Sequence, residues 1–493
     1  SVVRTGFVPQ EDQGIIFMNV ELPPGSSVDR TREVNDMLYD KMSEIAGVEG
    51  MFVIDGRSLL NGVGSNYGFG IAKLEDWGER EADSLSLESV IGKMFGIAAG
   101  IPEAEIIFFG RPSVPGFGNS AGVEVNLLDR SSGSFQELDA ANQEFIGKLS
   151  QRPEFKFAQS AFSTEYPQYE LQVNVPLAKE KGVSISSIFS TLQGYIGSIF
   201  ATDFSRFGKQ YRVYVQALPE DRANKDALNG IFVRAQNGEM APITEFIDLK
   251  RVYGPQAVTR FNLFNSTGIT AAMNPGFSTG DGIAAVNEVS ETLSSDYSTA
   301  YSGLSREEVN AGNQATIIFL LSIVFVYFLL AAQYESYLIP FSILFSLPLG
   351  VMGAYLTTQF AGLQNNIYFQ IALIMLLGLL AKNAILIVEF ALQRRRQGET
   401  ILNAAIDGAE TRLRPILMTS FAFILGLMPL VLASGVGAAG NRSIGTGAVG
   451  GLFVGTVFGV FVIPILFIFF QWLQEKISGP PQAVADAKTT END

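Results

Sequence analysis

One apolar stretch, residues 364–396, limits what this chain can be. It reads QNNIYFQIALIMLLGLLAKNAILIVEFALQRRR and is long enough to cross a membrane, since a span needs about 20 apolar residues. Lys382 lies near its middle and Asn383 follows it. A lysine at the centre of a span costs about 2.5–3.5 kcal/mol on insertion scales, so it normally faces the interior of a helix bundle and finds a partner. The stretch therefore predicts a membrane protein with a functional buried cation.

Lys382 needs a negatively charged partner. Glu389 is the only carboxylate in the predicted spans, but it lies two helical turns away, about 10 Å along the helix axis. It is also close to the arginine-flanked end of the span. We therefore expect the counter-charge for Lys382 to come from outside this chain, or the lysine to be neutral.

Composition excludes several classes of protein. The chain has 493 residues, of which 47% are hydrophobic and 17% charged, which is too apolar for a wholly soluble protein. Its net charge of -15 disfavours nucleic acid as a partner. Cysteine and histidine are both absent, which excludes thiolate metal sites and removes the commonest metal ligand and general base. With no nucleophile–base pair or nucleotide motif, we expect neither an enzyme nor a metal or cofactor site.

Residues 1–310 are predicted to be mixed α/β and soluble. Strand–helix–strand units recur four times, which suggests split βαβ subdomains. These units cover residues 15–22, 28–46 and 48–54; 67–74, 87–98 and 105–109; 123–128, 135–150 and 155–162; and 269–274, 282–293 and 296–302. A different stretch, residues 166–250, with strands at 169–175 and 211–216 and a helix at 186–196, is interpreted as an inserted subdomain.

Two glycine-rich loops carry apolar side chains. They are residues 56–66, GRSLLNGVGSN, and residues 111–119, RPSVPGFGN. They are either ordinary connections or, because apolar residues on mobile loops often contact ligands, a binding surface. Neither resembles a phosphate-binding loop.

Five apolar spans are predicted at residues 315–333, 337–358, 366–392, 415–433 and 444–472. Arginines are concentrated between the third and fourth spans, which places that loop in the cytoplasm and residues 1–310 on the opposite side. The tail 473–493 is then cytoplasmic and is expected to be disordered. Because SVVRTGFVPQEDQG contains no export signal, we expect earlier spans to precede Ser1 in a longer protein.

Two further patterns lie in the last spans. Small residues recur every four positions in span five, which predicts either close helix packing or sliding against a neighbour; they are Ser443, Gly447, Gly451, Gly455 and Gly459. In span four, Arg412 and Thr419 are seven residues apart and share a helix face. Together with Lys382 they suggest a proton or ion path.

Five segments carry a family resemblance. They are FVPQEDQG (7–14), FGKQYRVYVQ (207–216), AAQYESYLIPFSI (331–343), AKNAILIVEFA (381–391) and RLRPILMTS (412–420). They closely resemble the resistance-nodulation-division (RND) superfamily, in particular its hydrophobe/amphiphile multidrug efflux branch. The resemblance runs from about residue 7 to about residue 472 and matches the second of that family's two homologous halves.

The resemblance implies a fold class: a membrane α-helical bundle with α+β periplasmic porter subdomains, split βαβ and ferredoxin-like, and a docking subdomain. Residues 1–118 would form one porter subdomain, and residues 119–165 with 251–310 a second. Residues 166–250 would be the inserted docking subdomain, residues 311–472 five transmembrane helices and residues 473–493 the disordered tail.

The resemblance also implies a function. The chain would be the C-terminal half of a proton-driven antiporter in the bacterial inner membrane, with a large periplasmic domain. It would export drugs and detergents as a homotrimer. Its partners would be an N-terminal half with intramembrane aspartates, a periplasmic adaptor, an outer-membrane channel and the lipid bilayer. It would need no cofactor besides the proton gradient.

The resemblance assigns roles to particular residues. In the proton relay, Lys382 would pair with the aspartates of the other half, helped by Asn383, Arg412 and Thr419. It places Phe52 and Phe109 in the substrate pocket and Gly56, Gly62 and Gly64 in the glycine-rich switch loop. The apolar loop residues Leu59, Leu60 and Phe117 are expected to bind substrate as well. Close relatives often have phenylalanines where this chain has Arg57 and Leu59, which bears on substrate range.

Three alternatives stay open. An exporter of lipids or hydrophobic metabolites would use the same apolar pocket. A metal-exporting relative is disfavoured by the absence of cysteine and histidine. A non-transporting membrane scaffold would have no need for the charge of Lys382.

Overall fold

The computed structural model describes residues 3–60, 62–80, 82–118, 122–312 and 314–479. The chain divides into two compact units. One comprises Ser1–Phe162 and Ala257–Asp493, and the other comprises Ser163–Gln256.

The first sheet of the larger unit is built from alternating strands. Its elements are β1 (Ile15–Glu21), α1 (Val28–Ser43), β2 (Val48–Ser58), β3 (Gly62–Leu74), α2 (Leu87–Ala98) and β4 (Glu105–Gly110). The strand order is β2-β3-β1-β4, and all neighbours are antiparallel. Ile16, Met18 and Val20 of β1 belong to the buried core. Because side chains alternate along a strand, Asn19 and Glu21 point to the opposite, helix-free face.

The second sheet begins with β5 (Val123–Asp129), α3 (Phe135–Ser150) and β6 (Phe155–Ser160). The chain then forms the smaller unit, which holds three antiparallel strand pairs: β7 with β12, β8 with β9 and β10 with β11. Its elements are β7 (Tyr166–Val173), α4 (Val175–Glu180), α5 (Ile185–Leu192), β8 (Ile199–Arg206), β9 (Lys209–Val215), β10 (Phe232–Arg234), β11 (Met240–Pro242) and β12 (Ile247–Gly254). Ile188, Val233 and Phe246 are among the residues of its core.

The chain then completes the second sheet. It adds β13 (Thr259–Phe261), β14 (Phe264–Met273), α6 (Thr279–Ser290) and β15 (Tyr297–Tyr301), followed by α7 (Gly303–Ala311). The strand order is β6-β14-β5-β15, and β13 also pairs with β14. If β13 is set aside, the second, third, first and fourth strands in chain order lie side by side, as they do in the first sheet. Val125, Leu127 and Ile269 pack against the helices. Glu124, Asn126 and Gly268 therefore lie on the helix-free face.

The remaining helices are apolar. They are α8 (Gln314–Tyr334), α9 (Ile339–Leu344), α10 (Leu347–Phe360), α11 (Ile367–Arg396), α12 (Ile401–Val431) and α13 (Ala438–Ser478). Within the described ranges, five segments are long and apolar enough to cross a membrane, with α9 and α10 forming one of them. The apolar helices and the two sheets confirm the coarse prediction of a membrane helix bundle attached to an α+β region.

Two predicted boundaries in this bundle were wrong. The predicted span 337–358 agrees with the span Ile339–Phe360, which has a break between Leu344 and Leu347, where Pro348 enters the first turn of α10. The predicted span 415–433 starts at Ile401, because the polar residues before Pro415 continue the same helix. The predicted disordered tail is helical as far as Ser478, and residues 480–493 lie outside the described part of the chain.

The predicted small-residue stripe of span five lies in a tight helix contact. A Cβ atom on Gly447 would lie 2.8 Å from the Phe369 ring of α11. A Cβ atom on Gly451 would lie 2.9 Å from the Gly350 carbonyl oxygen of α10. Only glycine permits backbones to approach this closely, so the stripe packs α13 against both α10 and α11.

Candidate functional site

Lys382 lies on an exposed face of α11 and points toward α12. Its amino nitrogen is 5.8 Å from the centre of the Phe423 ring, and its side chain is exposed. Among the residues that the structure describes, no carboxylate forms an ion pair with it.

Asn383 points the other way, into the helix bundle. Its amide donates to the Ser420 hydroxyl of α12 at 3.0 Å, and the Thr456 hydroxyl of α13 donates to the same oxygen at 3.0 Å. All three side chains are buried. Sequence reasoning selected Asn383 and missed Ser420 and Thr456, although polar residues inside apolar helices are a recognisable signal. The network joins α11, α12 and α13 directly beside Lys382.

Arg412 and Thr419 share one face of α12. The Arg412 guanidinium carbon lies 5.0 Å from the centre of the Phe390 ring of α11. Its Nε is buried without a hydrogen-bond partner in the described structure. The Thr419 hydroxyl donates to the Ile416 carbonyl at 3.1 Å. Lys382 and Arg412 therefore each contact an aromatic ring of the facing helix.

A second candidate site lies between the two sheets. It is a cavity of about 240 Å³ between their helix-free faces, lined by residues that include Asn19, Glu21 and Glu105 from the first sheet and Glu124 and Asn126 from the second. Leu60, from the β2–β3 hairpin, also lines it. The lining combines carboxylates and amides with a few apolar side chains.

The predicted pocket residues are spread over this region. Leu60 is the only one of them that lines the cavity in the described structure. Phe109 is buried and packs edge-on against Phe17, with ring centres 5.9 Å apart. Phe52 and Phe117 are exposed and Leu59 is half-buried. The structure therefore brings Phe109 and Leu60 to the helix-free side of the first sheet and leaves the exposed phenylalanines outside the cavity.

The segment predicted as a glycine-rich loop is a hairpin. Gly56 belongs to β2, and Gly62 and Gly64 belong to β3. Arg57 pairs with Val63 beyond a β-bulge, and Gly56 and Gly62 have φ of 79° and 89°, a backbone conformation that glycine adopts at little cost. The loop prediction was wrong here because the glycines allow strand pairing to continue. Asn61, and Asn119 of the second predicted loop, lie outside the described residues.

One half-buried carboxyl was not found by sequence reasoning. Glu308 of α7 accepts a hydrogen bond from the Thr279 hydroxyl at 3.0 Å and lines a small cavity together with Phe7, Gln10 and Ser113. Burial raises the pKa of the Glu308 carboxyl to about 7, against the smaller opposing effect of the Thr279 hydrogen bond. No local pattern marks this residue, because its environment comes from segments far apart in sequence.

Comparison with known proteins gives a consistent result. The AcrB/AcrD/AcrF family matches residues 1–471. The chain is 36% identical over 468 residues to the multidrug/solvent efflux pump membrane transporter MepB of Pseudomonas putida, covering 94% of this chain and 44% of MepB. It is 35% identical over 473 residues to the multidrug resistance protein MdtF of Escherichia coli K12, covering 95% of this chain and 46% of MdtF.

This chain thus spans less than half the length of these relatives. The matched region contains both the two sheets and the apolar helices described above. The chain belongs to the AcrB/AcrD/AcrF family of RND transporters, as its motifs predicted.

Proposed function

We propose that this chain is the C-terminal half of a proton-driven efflux transporter for hydrophobic and amphiphilic compounds. The observation that carries the proposal is Lys382: its ammonium group lies on an outward face of α11 with no ion pair in the described residues. A cation at this depth in a membrane needs a partner. The relatives are about twice as long as this chain, which leaves room for an N-terminal half that supplies intramembrane aspartates.

The coupling would work through charge neutralisation. Aspartates of the other half pair with Lys382 when ionised, and protonation removes that attraction. The surface of α11 and α12 that carries Lys382, Arg412 and Thr419 then shifts against the other half between two arrangements, which is how a local charge change becomes a movement of packed helices. Because Asn383 is bonded to Ser420, and Ser420 to Thr456, α11, α12 and α13 move together.

The periplasmic part would bind and release the transported compounds. The two sheets, with their shared strand order, act as the split βαβ porter subdomains (residues 1–118, and 119–165 with 251–310), and residues 166–250 as the docking subdomain. The cavity between the sheets receives amphiphilic molecules, and the β2–β3 hairpin, which contributes Leu60, acts as the switch segment. The assembly is a homotrimer in the bacterial inner membrane, joined to a periplasmic adaptor and an outer-membrane channel.

Replacement of Lys382 in the complete transporter tests this function. Lys382→Met keeps the length of the side chain and removes its charge, so drug efflux and proton counter-flow should both be lost at normal expression. Lys476→Met is the matched control, because Lys476 lies over Trp472 at the far end of α13. Efflux that is unchanged in Lys382→Met would overturn the proposal.

Export of lipids or hydrophobic metabolites is the second candidate. The observation that favours it is the apolar part of the cavity lining, Leu60 and Ile107, which would accept an acyl chain as readily as a drug. Transport of fluorescent dyes and of labelled lipids by the same reconstituted protein separates the two cargoes.

A further inference from the structure

The motif FVPQEDQG, residues 7–14, has no part in the proposed relay or cargo site. Its first residue and the residue before it pair with the start of α11. The Gly6 amide donates to the Asn365 carbonyl at 3.1 Å, and the Ile367 amide donates to the Phe7 carbonyl at 3.0 Å. The motif therefore begins in direct contact with the helix that carries Lys382.

Glu11 binds the start of a second membrane helix. Its carboxylate accepts the backbone N–H groups of Ala439 at 3.2 Å and Gly440 at 2.9 Å, in the first turn of α13. The N-cap position of α13 is Gly437, which has no side chain to cap the helix. Helix N-termini leave N–H groups without partners and carry partial positive charge. Glu11 therefore serves as the cap of α13 from 428 residues away in the sequence.

Asp12, the next residue, binds the first sheet instead. Its carboxylate pairs with Arg80 at 3.1 Å, and the Arg80 side chain is 2% exposed. Its backbone carbonyl accepts the Trp77 indole N–H at 3.2 Å. Arg80 also donates to the Glu75 carbonyl, immediately after β3, at 2.7 Å. Two consecutive residues thus hold a membrane helix on one side and the end of the first sheet on the other.

The same helix is bonded to the candidate relay. Thr456 of α13 shares the Ser420 hydroxyl with Asn383, the neighbour of Lys382. Thr456 lies 17 residues after Ala439, about 26 Å along the helix at 1.5 Å per residue. A continuous chain of bonded groups therefore runs from the residue beside Lys382, along α13, through Glu11 and Asp12, to the sheet whose helix-free face lines the cavity.

We propose that Glu11 is a positioning residue that transmits movement of α13 to the first sheet. This inference rests on the proposed transport function. A charged cap holds the helix end through two hydrogen bonds that are stronger than neutral ones, and the peptide bond to Asp12 passes a displacement directly to Arg80. Loss of the cap uncouples helix movement from sheet movement while leaving both parts folded.

The test uses the complete transporter and four variants, one of which is the conservative change Glu11→Asp. Glu11→Ala removes the cap. Glu11→Ala with Ala438→Asp returns a carboxylate to the first turn of α13 but leaves the helix unconnected to the motif. Glu33→Ala, at an exposed position of α1, is the matched control. Two quantities are measured: the KM and maximal rate of substrate transport, and the hydrogen exchange of the amides of residues 438–441.

In Glu11→Ala we expect the maximal transport rate to fall at least tenfold with KM unchanged, and the amides of residues 438–441 to exchange at least tenfold faster. In the double variant we expect protection of these amides to return and the transport rate to stay low. Glu11→Asp should recover part of the rate, and Glu33→Ala should match the unaltered protein.

Two results would overturn the inference. One is a normal transport rate in Glu11→Ala although the amides of residues 438–441 exchange rapidly. The other is full recovery of transport by Ala438→Asp, because capping alone would then be the role of Glu11. Absence of export by the unaltered protein would instead overturn the proposed function, and the coupling role with it.

Discussion

Arg395 and Glu475 form a bidentate ion pair between the ends of α11 and α13. The Nε–Oε1 and Nη2–Oε2 distances are 2.7 and 2.8 Å. Arg395 also donates to the Glu399 carbonyl at 2.6 Å, and Gln471 donates to Glu475 at 2.9 Å. Bidentate arginine–carboxylate pairs have a fixed geometry, and their hydrogen bonds are stronger than those between neutral groups. The pair joins the C-terminal ends of α11 and α13.

Replacing Arg395 by glutamine should destabilise this end of the bundle by about 1–3 kcal/mol, because it leaves the mostly buried Glu475 carboxylate without its charged partner. The measurement is thermal unfolding of the purified transporter in detergent. The double variant Arg395→Gln/Glu475→Gln should lose less than the sum of the two single variants. Additive losses would show that the two side chains do not interact.

Replacing Ser420 by alanine should also destabilise the protein, by about 1–3 kcal/mol, because the buried Asn383 amide and Thr456 hydroxyl both lose their shared partner. The control is Ser322→Ala, since Ser322 is half-buried on α8 and donates to the Ile318 carbonyl of its own helix at 2.8 Å. We expect a lower unfolding temperature and slower transport for Ser420→Ala alone. Equal unfolding temperatures for the two variants would contradict a structural role for the network.

Glu308 should make stability depend on pH. Its folded pKa, raised from 4.5 to about 7 by burial, means that the folded state holds a proton that the unfolded state releases. The stabilising contribution is complete below about pH 4.5 and is lost as the pH rises through about 7, which corresponds to roughly 3 kcal/mol.

Unfolding temperature measured between pH 5 and pH 8 checks this. Glu308→Gln is neutral at every pH, so it should flatten the profile and be more stable than the unaltered protein at pH 8. Glu307→Gln is the control, because Glu307 does not line the cavity. A profile for Glu308→Gln that falls as steeply as that of the unaltered protein would show that another group titrates.

Local sequence signals predicted the ends of two helices correctly. The helices Leu87–Ala98 and Phe135–Ser150 match their predicted ranges, and serines at their N-caps, Ser86 and Ser134, accept backbone N–H groups. Capping and apolar periodicity act within a few residues, so a sequence displays them directly. The hairpin around Gly56 and Gly62 was predicted as a loop because strand pairing depends on the partner strand as well as on local composition.

The sequence by itself determined that this chain has membrane-length helices, that Lys382 interrupts one of them and that the chain belongs to the family its motifs resemble. These properties depend on short segments whose hydrophobicity and charge act locally. Only the tertiary structure decided that Ser420 joins Asn383 to Thr456, that Glu308 is half-buried and that Glu11 caps α13. Each of these contacts joins elements that are distant in sequence, so its energy exists only when the whole unit is folded.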